Sequence, residues 1–137
     1  MLLHYILTLW LGIGSLQTKE YSVSITFHNL SSIKGKIALA VYQPSDDFLS
    51  DNPYRSAFIT IDSEQPIFTT TLPRGVYAIS LYHDENNNDQ LDKSMLGLPQ
   101  EGYGFSNDVM GLFGPPSFEK ASFKINNDTS FVINVKK

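Results

Sequence analysis

Cysteine is absent from the 137 residues. That absence excludes disulfide staples, zinc-thiolate centres, thiol nucleophiles and lipid attachment at a Cys. Histidine is scarce, and three residues are too few for a His-rich metal cage. Positive charge is also in short supply, with 10 Lys+Arg against 14 Asp+Glu and a formal net charge of −4. No basic stripe exists to neutralise phosphates, which argues against a nucleic-acid partner. Charged residues make up only 18% of the chain while aromatics reach 12%. A chain unable to bury a core shows the reverse balance, so a folded domain is expected. No internal repeat or low-complexity linker divides the sequence, and its length suits one domain.

Long apolar runs are missing too. The stretch from Leu2 to Leu16 carries no Asp, Glu, Lys or Arg, yet it is shorter than the ~20 residues that span a bilayer. It fits the apolar region of a secretory signal peptide ending at the small residues Gly12, Gly14 and Ser15. Only the α-amino group and His4 supply positive charge before it, and no A-x-A cleavage site is clear. A retained anchor and a buried first element are therefore alternatives. The expected division is a leader over 1–16 and a domain over 17–137, exported to the periplasm or the cell exterior. Membrane contact is expected only through an uncleaved leader. The missing thiols agree with export, since nothing in the chain would be oxidised there.

Beyond the leader the hydrophobic period is two. Tyr21, Val23, Ile25 and Phe27 alternate with Ser22, Ser24, Thr26 and His28, which predicts a half-buried strand with His28 on its polar face. Ile37, Leu39 and Val41 oppose Ala38, Ala40 and Tyr42 in a second strand. Residues 43–56 hold two Pro and no periodicity, predicting a loop pinned by Phe48, Leu49 and Tyr54. Ala57–Ile61 and Ile67–Leu72 read as short strands, followed by a turn at Pro73 and Gly75. Val76–His83 alternates best of all. Ala121, Phe123 and Ile125 form one further run, and Phe131, Ile133 and Val135 another. About seven strands with no long helical period predict an all-β fold: a single antiparallel β-sandwich, immunoglobulin-like or transthyretin-like.

Directly after the best strand stands HDENNNDQLDKSMLGLP, residues 83–99. Side-chain oxygens at alternate positions converge on a hard cation when the backbone curls, and Ca²⁺ takes oxygen ligands. With Asp84 as the first position, Asn86, Asn88, the Gln90 carbonyl and Asp92 fall at the third, fifth, seventh and ninth positions of an EF-hand-type loop. Asp89 stands where such a loop has Gly, and Met95 where it has a bidentate Glu. Asp tolerates left-handed φ, so the turn survives this substitution better than the site survives the lost carboxylate. Glu85, Asp89 or Glu101 are candidates for the remaining oxygens. The opposing reading is a metal-free turn held by Asn and Asp side chains bonding to the backbone.

EGYGFSND and GLFGPPSFEKA follow, over residues 101–108 and 111–121. Their Gly and the Pro115–Pro116 pair argue against a regular strand or helix. The aromatics here either cover an end of the sandwich or form a binding platform, with Tyr103, Phe105 and Phe113 as the candidate surface for a glycan, peptide or envelope protein. GYG is no phosphate loop, lacking the following Lys-Ser/Thr. His83 and Asp84 are neighbours on a strand and point to opposite faces, so they make a poor pair for activating Ser106. No G-x-S-x-G elbow is present.

The ordered segments LPRGVYAISLYHDENNNDQLD, GLPQEGYGFSND and GPPSFEKASF together resemble the bacterial domain-of-unknown-function family 2141. The resemblance spans roughly residues 21–135 and departs from the family pattern at Asn87 and Asp89, where glycine is common, and at Lys93-Ser94, where Thr-Asn is more usual. It implies a small exported β-sandwich and no particular reaction. A looser likeness, to transthyretin-like and carboxypeptidase-regulatory modules, bears on the fold alone.

Three functions compete. The first is a non-catalytic exported module that binds or assists at the cell envelope, its loop steadied by calcium. The second is a small hydrolase or lyase using His83 with Glu85 or Glu101. The third is a purely structural envelope protein whose loop takes no ion.

Overall fold

The computed structural model describes Gly14 and residues 16–137, so the leader reading of 1–16 falls almost wholly outside the described residues. The strands are β1 (Glu20–His28), β2 (Lys36–Tyr42), β3 (Arg55–Thr60), β4 (Ile67–Pro73), β5 (Gly75–Asp84), β6 (Tyr103–Phe105), β7 (Phe123–Ile125) and β8 (Thr129–Asn134), with a one-turn helix α1 (Phe118–Ala121). They form a three-stranded sheet, β4-β1-β8, and a five-stranded sheet ordered β3-β2-β5-β6, with β7 pairing β5. Among the described residues no helix is long and apolar enough to cross a membrane.

Alternation along each strand explains the layering. Val23, Ile25 and Phe27 from one sheet meet Ile37, Leu39, Val41, Tyr77, Ile79 and Leu81 from the other in one buried cluster. Period-two side chains leave the intervening polar residues of β1 outside, where Ser24 and Thr69 bond across the strands. The sandwich expectation holds. Its purely antiparallel form does not, because β8 runs parallel to β1, with Val23 opposite Thr129 and His28 opposite Asn134. Beyond that pairing, Lys136 exchanges both main-chain hydrogen bonds with Tyr103 at 2.8 Å, so the end of the chain ties the two sheets together.

The segment expected to lack regular structure contains β6 and α1. Gly102 and Gly104 permit this rather than prevent it. A Cβ on Gly102 would stand 2.6 Å from Val135 Cγ1 and force it to move, and one on Gly104 would be tight at 3.1 Å from Ile133 Cγ2, so glycine lets this backbone lie close against the end of the chain. Ser106, fully buried, donates to the Ala121 carbonyl at 2.5 Å and accepts the Ile79 N–H at 2.9 Å. Asn107 Nδ2 donates to the Lys120 and Ser122 carbonyls, and Asp108 accepts from the Asn134 N–H. The SND triplet is thus a bracket joining β6 to α1 and β8. Ala121 closes α1, capped at its start by Ser117, rather than opening a strand.

The loop over 43–54 is anchored as its aromatics predict. Phe48 meets Tyr42 edge-on at 5.2 Å and Phe118 at 5.8 Å, while Tyr54 lies 5.9 Å from Tyr77.

Candidate functional site

β5 carries His83 and Asp84 to the end of the sheet, and alternation sends them to opposite faces. Both are fully buried. His83 pairs with Ile37 in register and Asp84 with Lys36. Gly35 makes this approach possible: its φ of +71° lies in the left-handed region, and a Cβ there would collide with the Asp84 carbonyl oxygen.

The Asp84 carboxylate organises the loop that follows. Its Oδ1 accepts the Asn88 N–H at 3.1 Å and its Oδ2 accepts the Asp89 N–H at 2.9 Å. Asn87 and Asp89 take left-handed φ of +57° and +63°, so Asp89 does supply the bend for which such loops use Gly. Lys36 Nζ bonds to the Asp89 carboxylate and lies 3.8 Å from Asp84 Oδ2, which holds the Lys36 ammonium pKa above its ordinary value. Farther along, Asp92 accepts from Asn86 Nδ2 at 2.7 Å and from Asn88 Nδ2 at 2.8 Å. The Oδ1 atoms of Asn86 and Asn88 accept the N–H groups of Asn88 and Gln90.

Glu101, expected only as a spare oxygen donor, has a structural place. It is 5% exposed, and its two oxygens accept the Glu85 and Asp92 N–H groups, each at 3.1 Å. The carboxylate therefore staples both ends of the loop onto the start of β6. Its position in sequence, 16 residues beyond Glu85, carries no periodic signal by which this role could be read.

The candidate ligands Asp84, Asn86, Asn88, Gln90 and Asp92 thus lie on one curled loop, all but Asp84 reaching solvent. Among the described residues no three His, Cys, Asp or Glu side chains gather as a ready metal cluster. The donor set is made of hard oxygens and the bend is present, which suits calcium. Two features count against a tight site: Met95 is wholly exposed, and the Glu101 oxygens are engaged by backbone.

His83 Nε2 must carry a proton, since its partner at 2.7 Å is the Lys34 carbonyl. Its Nδ1 lies 3.5 Å from Ser31 Oγ, but that hydroxyl donates to Glu85 Oε1 at 2.5 Å. Ser31 first, and then Lys137 at 3.3 Å, hold the Glu85 carboxyl below its ordinary pKa. Ser31 also lines an open polar cleft of about 450 Å³ beside His28, Glu64 and Gln65.

The expected aromatic surface divides. Phe113 is wholly exposed and Tyr103 half-buried, but Phe105 is 7% exposed and packs with Ala78 and Ala121 beneath Phe48 and Phe118. Phe105 is corrected from a contact residue to a core residue, because its β6 register places it over Ser80, where the returning loops cover it.

Neither the curated proteins nor the solved structures contain a match to this chain. The family described as "Uncharacterized protein conserved in bacteria (DUF2141)" matches residues 25–132, and the chain belongs to that family.

Proposed function

We propose that this protein is an exported, non-catalytic binding or accessory module of the cell envelope, with a loop that takes a structural calcium ion. The observation that carries the non-catalytic reading is the fate of His83. Its side chain is fully buried, its Nε2–H is spent on a main-chain carbonyl, and the neighbouring Ser31 hydroxyl bonds to Glu85. A general base needs a free nitrogen within reach of a substrate proton; the nitrogen left free here, Nδ1, belongs to a side chain with no exposed surface and faces Ser31 Oγ at 3.5 Å. The exposed chemistry lies elsewhere, at Tyr103, Phe113 and the loop, and suits contact with a peptide, glycan or envelope protein. Two stacked sheets of this size fit an immunoglobulin-like or transthyretin-like accessory module.

In this reading Asp84, Asn86, Asn88, the Gln90 carbonyl and Asp92 hold the ion through their remaining lone pairs. The ion would supply fixed positive charge to a loop whose carboxylates outnumber Lys36. A thermal melt in EGTA and then in millimolar Ca²⁺ or Mg²⁺ tests it. Saturation at ~100 times the dissociation constant adds ~2.7 kcal/mol, a shift of several degrees for a domain of this size. The expected result is a Ca²⁺-selective rise abolished by Asp92→Asn; no shift with either ion removes calcium from the reading. Turnover of chromogenic esters or glycosides that disappears in His83→Gln would overturn its non-catalytic part.

A further inference from the structure

Each sheet ends in an open strand, β3 in one and β4 in the other, since among the described residues each pairs with a single neighbour. An open edge presents a row of main-chain donors and acceptors to any strand laid beside it. The register shows which groups these are on β4. The Phe27 N–H bonds to the Pro66 carbonyl, and bonded and non-bonded pairs alternate along an antiparallel ladder. Phe68, Thr70 and Leu72 therefore turn their main-chain groups toward β1, while Ile67, Thr69 and Thr71 turn theirs outward. Arg55 Nη1, donating to the Thr71 carbonyl at 2.5 Å, agrees with this. Among the described residues no other group bonds to that outward set.

The two edges differ in charge. β3 begins with Arg55, and the Lys36 ammonium lies 4.4 Å from the ring of Phe58 in its middle. Two copies of β3 laid side by side would bring these cations together, and charge on an edge strand is a common guard against pairing. β4 carries no such guard. From Ile67 to Leu72 it reads IFTTTL, with no charged residue, proline or glycine. Ile67 is 63% exposed, and Phe68 is half-buried against the core. Arg55 and Glu20, of opposite sign, both bond at Thr71, near one end of the segment. Pro66 and Pro73 bound the segment and limit the length that can pair.

We infer that β4 is the docking edge for a second copy of this chain, pairing antiparallel with its own counterpart about a two-fold axis through Thr69. In that register every outward residue meets an outward residue: Thr69 faces the other copy's Thr69, and Ile67 faces its Thr71. Each gives and takes one main-chain bond, the Thr71 carbonyl using the lone pair that Arg55 leaves. A shift of two residues would set Thr71 against the loop residue Gln65, or Ile67 against Pro73, which has no N–H to give. Pairing also covers Ile67 on the outer face and lays Phe68 beside the other copy's Thr70 on the inner one. The three-stranded sheets of the two copies merge into one, and a contact made by the same surface on both copies closes at two. The inference goes beyond the binding-module reading and does not depend on it.

Sedimentation equilibrium over a range of concentrations, with amide hydrogen exchange alongside, tests it. The expected result is a reversible step from the 15.4 kDa chain to twice that mass, with protection of the Ile67, Thr69 and Thr71 amides rising with concentration. Thr69→Lys, at an exposed position on the axis, sets two ammonium groups opposite each other and should weaken association at least about tenfold. Ser56→Lys, on the β3 edge, should leave it unchanged. The absence of cysteine lets single thiols report the register. Thr69→Cys should cross-link to its own copy on oxidation with diamide, the two Cα atoms lying about 5.5 Å apart. Thr71→Cys should not, because its copy lies roughly 13 Å away along the strand. A chain still monomeric at ~1 mM, a dimer that Thr69→Lys leaves intact, or equal cross-linking of the two Cys variants would each overturn the inference. Concentration-dependent protection confined to Ser56, Phe58 and Thr60 would place the contact on β3 and overturn it as well. Should Thr69→Lys fail to fold, exchange in the unaltered protein decides: protection at Ile67, Thr69 and Thr71 that ignores concentration refutes the pairing.

Discussion

Removing the Glu101 carboxylate should loosen the whole loop between β5 and β6 while leaving the sandwich folded. Its two oxygens each accept one backbone N–H, from Glu85 and from Asp92, at 3.1 Å. Hydrogen bonds to a charged acceptor contribute about 1.5–3 kcal/mol each. Both donors are only part-buried, so water recovers a share of that energy in Glu101→Ala. A net loss of about 2–3 kcal/mol remains, or on the order of 10 °C in Tm for a domain of this size. Glu101→Gln keeps one acceptor and turns an NH₂ toward the other donor, so it should recover less than half of the loss. Urea denaturation followed by circular dichroism reads the global effect. Amide hydrogen exchange at Glu85 and Asp92 reads the local one, and both amides should lose protection in the Ala variant. A loss below about 0.5 kcal/mol, the size expected of an ordinary surface change, with unchanged exchange, would refute the stapling argument.

Other perturbations follow from the same geometry. Gly35→Ala forces a Cβ into the Asp84 carbonyl at a φ of +71°; a loss of at least ~2 kcal/mol is expected in chemical denaturation. Ser106→Ala strips the buried Ile79 N–H of its acceptor and should cost ~1–3 kcal/mol, read as a lower urea midpoint with an unchanged slope. Glu85 titrates below its ordinary value chiefly because Ser31 donates to it, with Lys137 adding to the effect. A depressed folded pKa gives stability that is present above the unfolded value and lost as pH falls through the folded one. Ser31→Ala should therefore flatten the acid limb of the stability profile measured between about pH 7 and about pH 3, and an unchanged limb would refute that assignment.

The sandwich was legible because burial on one face imposes period two on a strand, and β1, β2 and β5 carry that period plainly. The tight bend at Asp89 was legible as well, since few side chains other than Asn and Asp tolerate left-handed backbone. Strand direction was not: the parallel β1–β8 pair joins residues whose local pattern is the same in either orientation. β6 was hidden for a related reason. Three residues with one glycine before them and another in their middle have no periodicity of their own, and they become a strand because Ser80–Tyr82 and Lys136 offer their main-chain groups.

By itself, then, the sequence determined the all-β class, the family pattern and the residues of the acidic loop, because these depend on composition and on spacing within a few residues. Tertiary structure alone decided that Phe105 is core, that Glu101 is a staple, and that His83 is buried with its Nδ1 facing Ser31. Each of those facts joins residues well separated along the chain. Only strand register and packing, which act between distant segments, bring such residues together.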